Sequence, residues 1–474
     1  MRYSATRYKC TILMLMFLAM QPGTHAQDSL KTLNSEQLFA LVRNYHPIAQ
    51  QADIGVQKAG AQLLIAKGEF DPVFKTYAGS KTLDGTHYYS YSSPELSIPT
   101  WFGIEVYTGL ENLSGSRLDQ AQTPGETGYL GVNIPLARDL LIDKRRAALK
   151  QAKLLRTMAK AQQRAILNTL LFDAMESYWN WVKAYQTYVV VSQNVEVNKK
   201  RLELVKKAFQ FGERPAIDTL EALAQLQSFQ FEQNQYQLEF QNAGLLMSVY
   251  LWDANGNPYN LPQDIKPGDW ENELLLLNTQ PNLNNLLTKA LQEHPELAIY
   301  DSKMDILTVD KKLKFQLILP KAEFSYQTLS KGYSNLNIPG ALPLFENNYR
   351  YGFNFEIPLR LSNGRGEYQL ANLKLSETQL DLSQKRLSIQ LKVKSYYNEY
   401  ITLKNQIELQ NNNYNNYKSL QKAEEIRFFN GESSMFLVNS RENKALETYK
   451  KLIELQTKFA KTAYALQYSA GSLE

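Results

Sequence analysis

The sequence has 474 residues, 44% apolar and 21% charged, enough for two or three ordinary domains or one elongated one. Its net charge of +5 falls to +2 once the N-terminal stretch 1–26 is removed, which takes away Arg2, Arg7 and Lys9, and that balance gives no support to nucleic-acid binding. The single cysteine, Cys10, lies in that same stretch, so the chain cleaved there forms no disulfide.

The N-terminus reads MRYSATRYK, then CTILMLMFLAM, then QPGTHA. A basic start, a short apolar run and a small-residue site ending at Ala26 are the pattern of a secretory signal peptide over 1–26. Cys10 precedes the apolar run, where a lipoprotein cysteine would not lie. No later segment approaches the roughly 18 consecutive apolar residues of a membrane-spanning helix. An exported chain of this kind is either soluble or a β-barrel.

The remainder reads as two copies of one plan, 27–252 and 286–474, joined by a connector at 253–285 that is rich in Pro, Asn and Gly. His46-Pro47 is followed by Pro72, and His294-Pro295 is followed at the same spacing by Pro320. Each of these later prolines opens strand-like sequence, and each copy reaches an Ile-Pro-Leu at 134–136 or 357–359. Long helical stretches follow, each broken once by a glycine, Gly212 or Gly431. From Leu136 to Phe211 there is no Pro or Gly; such a run reaches on the order of 110 Å as a helix. Leu154, Met158, Ala161 and Ala165 fall at coiled-coil spacing within it. The glycines suit helix ends that need a positive φ, so they mark the turns of helix hairpins at one far end of a long object.

Residues 349–357 alternate: Tyr349, Tyr351, Phe353, Phe355 and Ile357 on one side, Arg350, Gly352, Asn354 and Glu356 on the other. TGYLGVNIPL at 127–136 and KAEFSYQTL from Lys321 alternate in the same way, as does a half-buried sheet in a soluble domain. Two strands per copy give four per chain, too few to close a water-filled barrel, so membrane-facing strands must be pooled. Three chains give twelve. The first copy has a surplus, because the stretch from Pro72 to Pro135 is much longer than the stretch from Pro320 to Pro358. It reads as an extended wall strand with a longer outer loop, or as an additional hairpin; the number of crossings has to be even for the chain to return to its helix.

The ordered set resembles the TolC-like outer-membrane efflux proteins over about 33–470: the duplicated plan, the entries IPLARDLLIDKRRA and IPLRLSNGRGEYQLANLKL, and the turns FQFGERPAIDTLEA and RFFNGESSMFLVNS. The resemblance implies a mainly α fold with β: a long periplasmic helical barrel of coiled-coil hairpins, plus a transmembrane β-barrel shared between three chains. It implies a homotrimeric conduit in the outer membrane of a Gram-negative bacterium, working with a periplasmic adaptor and an inner-membrane transporter in efflux or secretion. The adaptor-facing tip then carries Gly212, Glu213, Arg214, Pro215, Gly431, Glu432, Ser433 and Ser434. Asp218 fits the acidic position six residues after the first glycine; Leu437 occupies the equivalent place after the second, with Asn439 and Ser440 beyond it and Glu442 as a substitute, so a carboxylate-ringed constriction is in question. These tip residues also read as solvated helix faces. Trp101, Phe102, Tyr349, Tyr351, Phe353 and Phe355 are candidate lipid-facing or interfacial aromatics, and Arg350, Asn354 and Glu356 candidate lumen residues.

No nucleophile elbow, phosphate loop or dinucleotide fingerprint occurs, and NGRG at 363–366 reads as a tight turn. The histidines are far apart, and His46 and His294 read as caps or kinks. An enzyme, a cofactor and a metal centre are therefore not expected. The alternative to a channel is a soluble periplasmic coiled-coil adaptor or scaffold with a small sheet.

Overall fold

The structure, a computed structural model, describes residues 32–115, 125–262, 264–332 and 347–473. The expected signal peptide at 1–26 lies outside the described residues. The chain runs β1 (Thr32–Leu33), α1 (Ser35–Tyr45), α2 (Pro47–Gly68), β2 (Val73–Leu83), β3 (Thr86–Pro99), β4 (Glu105–Ser114), β5 (Gly125–Pro135), α3 (Lys144–Gln210) and α4 (Ala216–Ser248). It continues through β6 (Lys266–Pro267), α5 (Trp270–Leu277), α6 (Leu283–Glu293), α7 (Pro295–Gln316), β7 (Lys321–Lys331), β8 (Tyr349–Glu356), α8 (Ser362–Phe429) and α9 (Met435–Ser469).

Local chemistry explains the junctions. His46 ends α1 and opens α2, with its Nδ1 accepting the Ile48 N–H at 3.2 Å and Pro47 filling the first helical position. His294 does the same between α6 and α7, accepting the Glu296 N–H at 3.2 Å. Both histidines are thus caps. α3 begins at Lys144 rather than at Leu136, because Leu136 and Arg138 still donate to the carbonyls of Ala322 and Pro320 beside β7. Asp143 then caps the helix by accepting the Arg146 N–H at 2.7 Å. The NGRG segment is not a turn; it lies in the first turns of α8. Glycine is needed at 364 because a Cβ there would meet the Leu317 carbonyl oxygen at 2.5 Å, where α8 crosses the end of α7.

α3 has 67 residues and α8 has 68, so each extends about 100 Å. Near the sheet the helices lie side by side in the order α2, α3, α7, α8; toward the far end the order is α4, α3, α9, α8. The cores are strung along this length. The largest centres on Tyr178, Trp179 and Trp181 of α3, against Leu38 and Val42 of α1, Ala460 and Tyr464 of α9, and Ile265 of the connector. Fully burying such side chains stabilises by roughly 1.5–3 kcal/mol apiece. Another cluster joins Leu297, Ile389, Val393 and Leu466. A further one, with Val195, Val205, Phe229, Met435 and Val438, holds the far hairpins together. The connector is tied in as well: β1 pairs in parallel with β6, and Ile265 sits in the main core.

The sheet differs from the expectation of four strands. Among the described residues it has six, in the order β2-β3-β4-β5-β7-β8, all antiparallel. The surplus in the first half is an additional hairpin, not an extended wall strand with a longer loop: Thr100–Ile104 turns the chain back between β3 and β4. The count remains even. Backbone pairing rewards this segment because Ile98 and Val106 meet on one face and Ser97 and Tyr107 on the other.

Candidate functional site

The register sorts the sheet into two faces. Leu96, Ile98, Val106, Leu130, Val132, Ile134, Phe324 and Tyr326 share one face with Tyr349, Tyr351, Phe353 and Phe355. The four aromatics of β8 are 57, 67, 61 and 56% exposed, so nothing within the protomer covers them. Phe324 pairs with Phe353 and Tyr326 with Tyr351. Contiguous exposed apolar side chains are uncommon on monomeric soluble proteins.

The opposite face is a polar network. Glu95 pairs with Lys75 at 2.8 Å and accepts from the Tyr129 hydroxyl at 2.8 Å. Tyr107 donates to Gln327 at 3.2 Å, and Ser97 donates to Glu105. Arg350, Asn354 and Glu356 fall on this face, opposite Gln327, Glu323 and Lys321 in the register. Tyr107 lies over Gly131 and Tyr129 over Gly109, two cross-strand neighbours where a Cβ would strike the ring. Flat tyrosines over glycines let the polar face stay low.

Trp101 and Phe102 sit in the turn between β3 and β4, at the helical end of the sheet. Trp101 stacks on Phe70 at 4.6 Å, just after α2. The Arg146 guanidinium, near the start of α3, donates to the carbonyls of Phe102, Leu140 and Asp139 and pairs with Asp143 at 3.0 Å. Sequence reading missed Arg146; its only local signal is the position three residues after the capping aspartate.

At the far end, the two glycine turns have one geometry. Gly212 and Gly431 have φ of 77° and 85°. The Glu213 N–H returns to the Ala208 carbonyl at 2.9 Å, and the Glu432 N–H to Arg427 at 2.8 Å. This six-to-one closure needs a left-handed residue at the glycine. A Cβ at either glycine would meet open space, so φ alone selects glycine. Pro215 and Ser434 are the residues before α4 and α9, and neither makes a side-chain cap bond. Ser433 instead donates to Glu424. Arg214 bridges the turns: it donates to the Ser433 carbonyl at 3.3 Å, covers the Phe428 ring at 4.0 Å and lies 3.8 Å from Asp218.

The constriction candidates divide. Ser440 is exposed and Asn439 half-buried. Asp218 is buried beside Arg214. Glu442 is 1% exposed and accepts from Arg201 at 2.7 Å and from Asn198 at 3.1 Å. Arg201 also pairs with Glu425 at 2.7 Å. Glu442 therefore does not stand in for an aperture carboxylate; it joins α3, α8 and α9 inside the protomer. No sequence signal marks this network, because Arg201 is in the first half of the chain and both of its acceptors are in the second.

Among the described residues no helix is long and apolar enough to cross a membrane, and no group of three or more His, Cys, Asp and Glu is placed to hold a metal ion. The fold is thus an antiparallel sheet with opposed apolar and polar faces, joined to helix hairpins whose longer arms, α3 and α8, extend about 100 Å. By sequence, no protein-family model and no curated protein matches the chain. By fold, it is similar to the outer-membrane channel CmeC of Campylobacter jejuni, at a TM-score of 0.61 and 16% identity, covering 92% of this chain and 85% of that one. The open-state MtrE outer-membrane channel of Neisseria gonorrhoeae gives 0.65 at 13% identity, covering 93% and 89%. The outer-membrane protein VceC of Vibrio cholerae gives 0.61 at 15% identity, covering 92% and 96%. The chain has the fold of the TolC-like outer-membrane channels.

Proposed function

We propose that the chain is one protomer of a passive exit duct in the outer membrane of a Gram-negative bacterium, with its long helices in the periplasm. The observation that carries this reading is that the sheet and the helical layer are both open on the same two flanks. One flank is α2 and β2, consecutive in the chain; the other is β8 and α8, also consecutive. Open strand edges are not tolerated in lipid, and a head-to-tail contact between identical chains closes a ring. Both helical flanks carry exposed apolar side chains along their length: Leu64 and Ile65 of α2 and Leu373 and Leu380 of α8 in the half near the sheet, Ile217, Phe231 and Leu238 of α4 and Leu409 and Ile426 of α8 in the far half. Residues 27–252 and 286–474 are then two repeats contributing adjacent sectors of each protomer's wall, with 253–285 between them.

Three chains complete the ring in this reading. Tyr349, Tyr351, Phe353 and Phe355 face lipid, Trp101 and Phe102 lie at its periplasmic border, and Arg350, Asn354 and Glu356 keep the bore wet. Solutes cross in water, so the wall performs no bond chemistry and the energy comes from an inner-membrane transporter. The exposed turns Gly212–Pro215 and Gly431–Ser434 meet a periplasmic adaptor. Asn439 and Ser440 remain as the constriction-lining residues. Opening is a hinge or shear movement of the hairpins.

Extraction separates this reading from the soluble scaffold. The mature chain should require detergent to leave the membrane fraction and should then run at three times the chain mass. A detergent-free, monomeric protein would end the duct reading.

A further inference from the structure

β2 follows α2 as β7 follows α7, and β5 leads into α3 as β8 leads into α8. By this order β3 and β4 have no counterpart among the described residues of the second half. We propose that β3 and β4 are permanent staves of the wall, so that the assembled barrel has eighteen strands and is closed by β2 of one chain pairing with β8 of the next. This inference rests on the duct reading above.

Four observations carry it. First, β3 and β4 are hydrogen-bonded into the sheet over most of their length, β3 to β2 and β4, and β4 to β5. Second, their basal turn is built into the helical layer: Trp101 stacks on Phe70 beyond α2, and Arg146 at the head of α3 holds the Phe102 carbonyl. Gly103 there has φ of 88°, and a Cβ would meet the Arg146 Nη2 at 2.6 Å. Third, the inserted strands respect both faces in the part near the helices, while farther out Ser90, Ser92 and Asn112 fall on the apolar side. Leu96, Ile98 and Val106 continue the apolar face, while Glu95, Glu105 and Tyr107 continue the polar one. Fourth, the directions fit: β2 runs away from the helices and β8 toward them, so placing β2 beside a neighbour's β8 continues the antiparallel alternation.

The arc lengths agree. Four helices side by side occupy roughly 36 Å of rim at about 9 Å each. Six strands, about 4.8 Å apart and tilted about 40°, occupy roughly 37 Å, whereas four occupy about 25 Å. Six staves therefore cover the helices beneath them. Barrel diameter grows roughly linearly with strand number, so the membrane segment is about half again as wide as a twelve-stranded one. Its bore then admits bulkier cargo than a twelve-stranded wall, and the narrow point of the duct lies elsewhere.

Electron cryomicroscopy of the detergent-extracted full chain tests this directly. Eighteen wall strands, with β3 and β4 among them, is the expected result. A ring with twelve wall strands and a displaced hairpin would overturn the proposal while leaving the duct reading intact; a soluble single chain would end both. Cysteine pairs give a second measurement on the full chain, since Cys10 falls in the signal region. Thr76→Cys, Ala78→Cys or Ser80→Cys should crosslink between chains when combined with Tyr349→Cys, Tyr351→Cys or Phe353→Cys, giving covalent dimers and trimers on oxidation. Ala78→Cys with Val132→Cys should give no bond, because two strands separate them. An intrachain Ala78–Val132 disulfide, or no interchain product from any pair in the scan, would count against eighteen staves.

Discussion

The two halves of the chain use the same backbone devices and different side chains. Both open a helix with a His-Pro cap at the same register, and both close their longest helix with a glycine at positive φ followed by glutamate. Around these shared joints the halves diverge. Among the described residues the first half has four strands of the sheet and the second has two. Near the tips Arg201 and Arg214 of the first half reach across to acceptors in the second, Glu425, Glu442 and the Ser433 carbonyl. Backbone geometry thus sets the repeated frame, and asymmetric side-chain pairs stitch one half to the other.

The largest expected effect comes from breaking that stitching where it is driest. Arg201→Met leaves Glu442 buried without a counter-charge and takes a partner from Asn198. Removing one member of a buried pair costs about 3–5 kcal/mol. Denaturant unfolding of the detergent-solubilised protein should show a loss of that size, with much of it recovered in the double variant Arg201→Met with Glu442→Leu. Equal stability of the single variant and the parent would mean that water reaches the pair.

The shared glycine turns come next. Gly212→Val or Gly431→Val forces a β-branched residue to positive φ, a strain of roughly 1–3 kcal/mol confined to the tip. Transport should fall while membrane insertion is unchanged. Gly212→Asn should be milder, because Asn tolerates the left-handed region. If insertion is lost as readily as transport, the glycines serve folding rather than the tip.

Smaller still is the bridge between the turns. Arg214→Lys keeps the charge but gives up the planar group that lies on Phe428 while donating to Ser433. A loss of about 1 kcal/mol is expected, read as faster hydrogen exchange at the amides of 431–434 than at those of 212–215. Equal acceleration at both turns would show that Arg214 does not reach across.

Most of this frame was legible in the sequence, and the reasons are physical. Glycine at a left-handed position, proline at a first helical turn and alternation along a strand are local requirements, so FQFGERPA, RFFNGESS, the His-Pro pairs and YRYGFNFE announce themselves. The contacts that set the halves against one another are not local. Arg201 has no neighbour in sequence that predicts Glu442, and the burial of Glu442 follows only from how α3, α8 and α9 meet. The added hairpin stood between these cases. SIPTWFGIEVYTGLEN shows strand alternation, yet whether Thr100–Ile104 is a turn or a continuation depends on Phe70 and Arg146, one beside each of two helices.

The last comparison concerns the His-Pro joints, which differ in surroundings but share one titration. In both, the imidazole accepts a backbone N–H through Nδ1, which requires that nitrogen to be unprotonated. Burial lowers the pKa of His46 and of His294; a backbone bond to Val249 opposes this at the first, while Glu296 opposes and Lys385 and Lys392 assist at the second. A group whose folded pKa is depressed binds fewer protons folded than unfolded, so stability rises with pH across the window between the two values. The contribution of both joints is therefore complete above about 6.5, the unfolded value, and is lost as the pH falls from there through the lowered folded pKa. His46→Asn with His294→Asn keeps an N-cap acceptor and removes the titration. Unfolding midpoints taken between pH 7.5 and 5, about that window, should fall with acid in the parent and fall less in the double variant. If the two profiles run parallel, the joints hold their shape by the Pro47 and Pro295 rings alone, and the histidines are replaceable spacers.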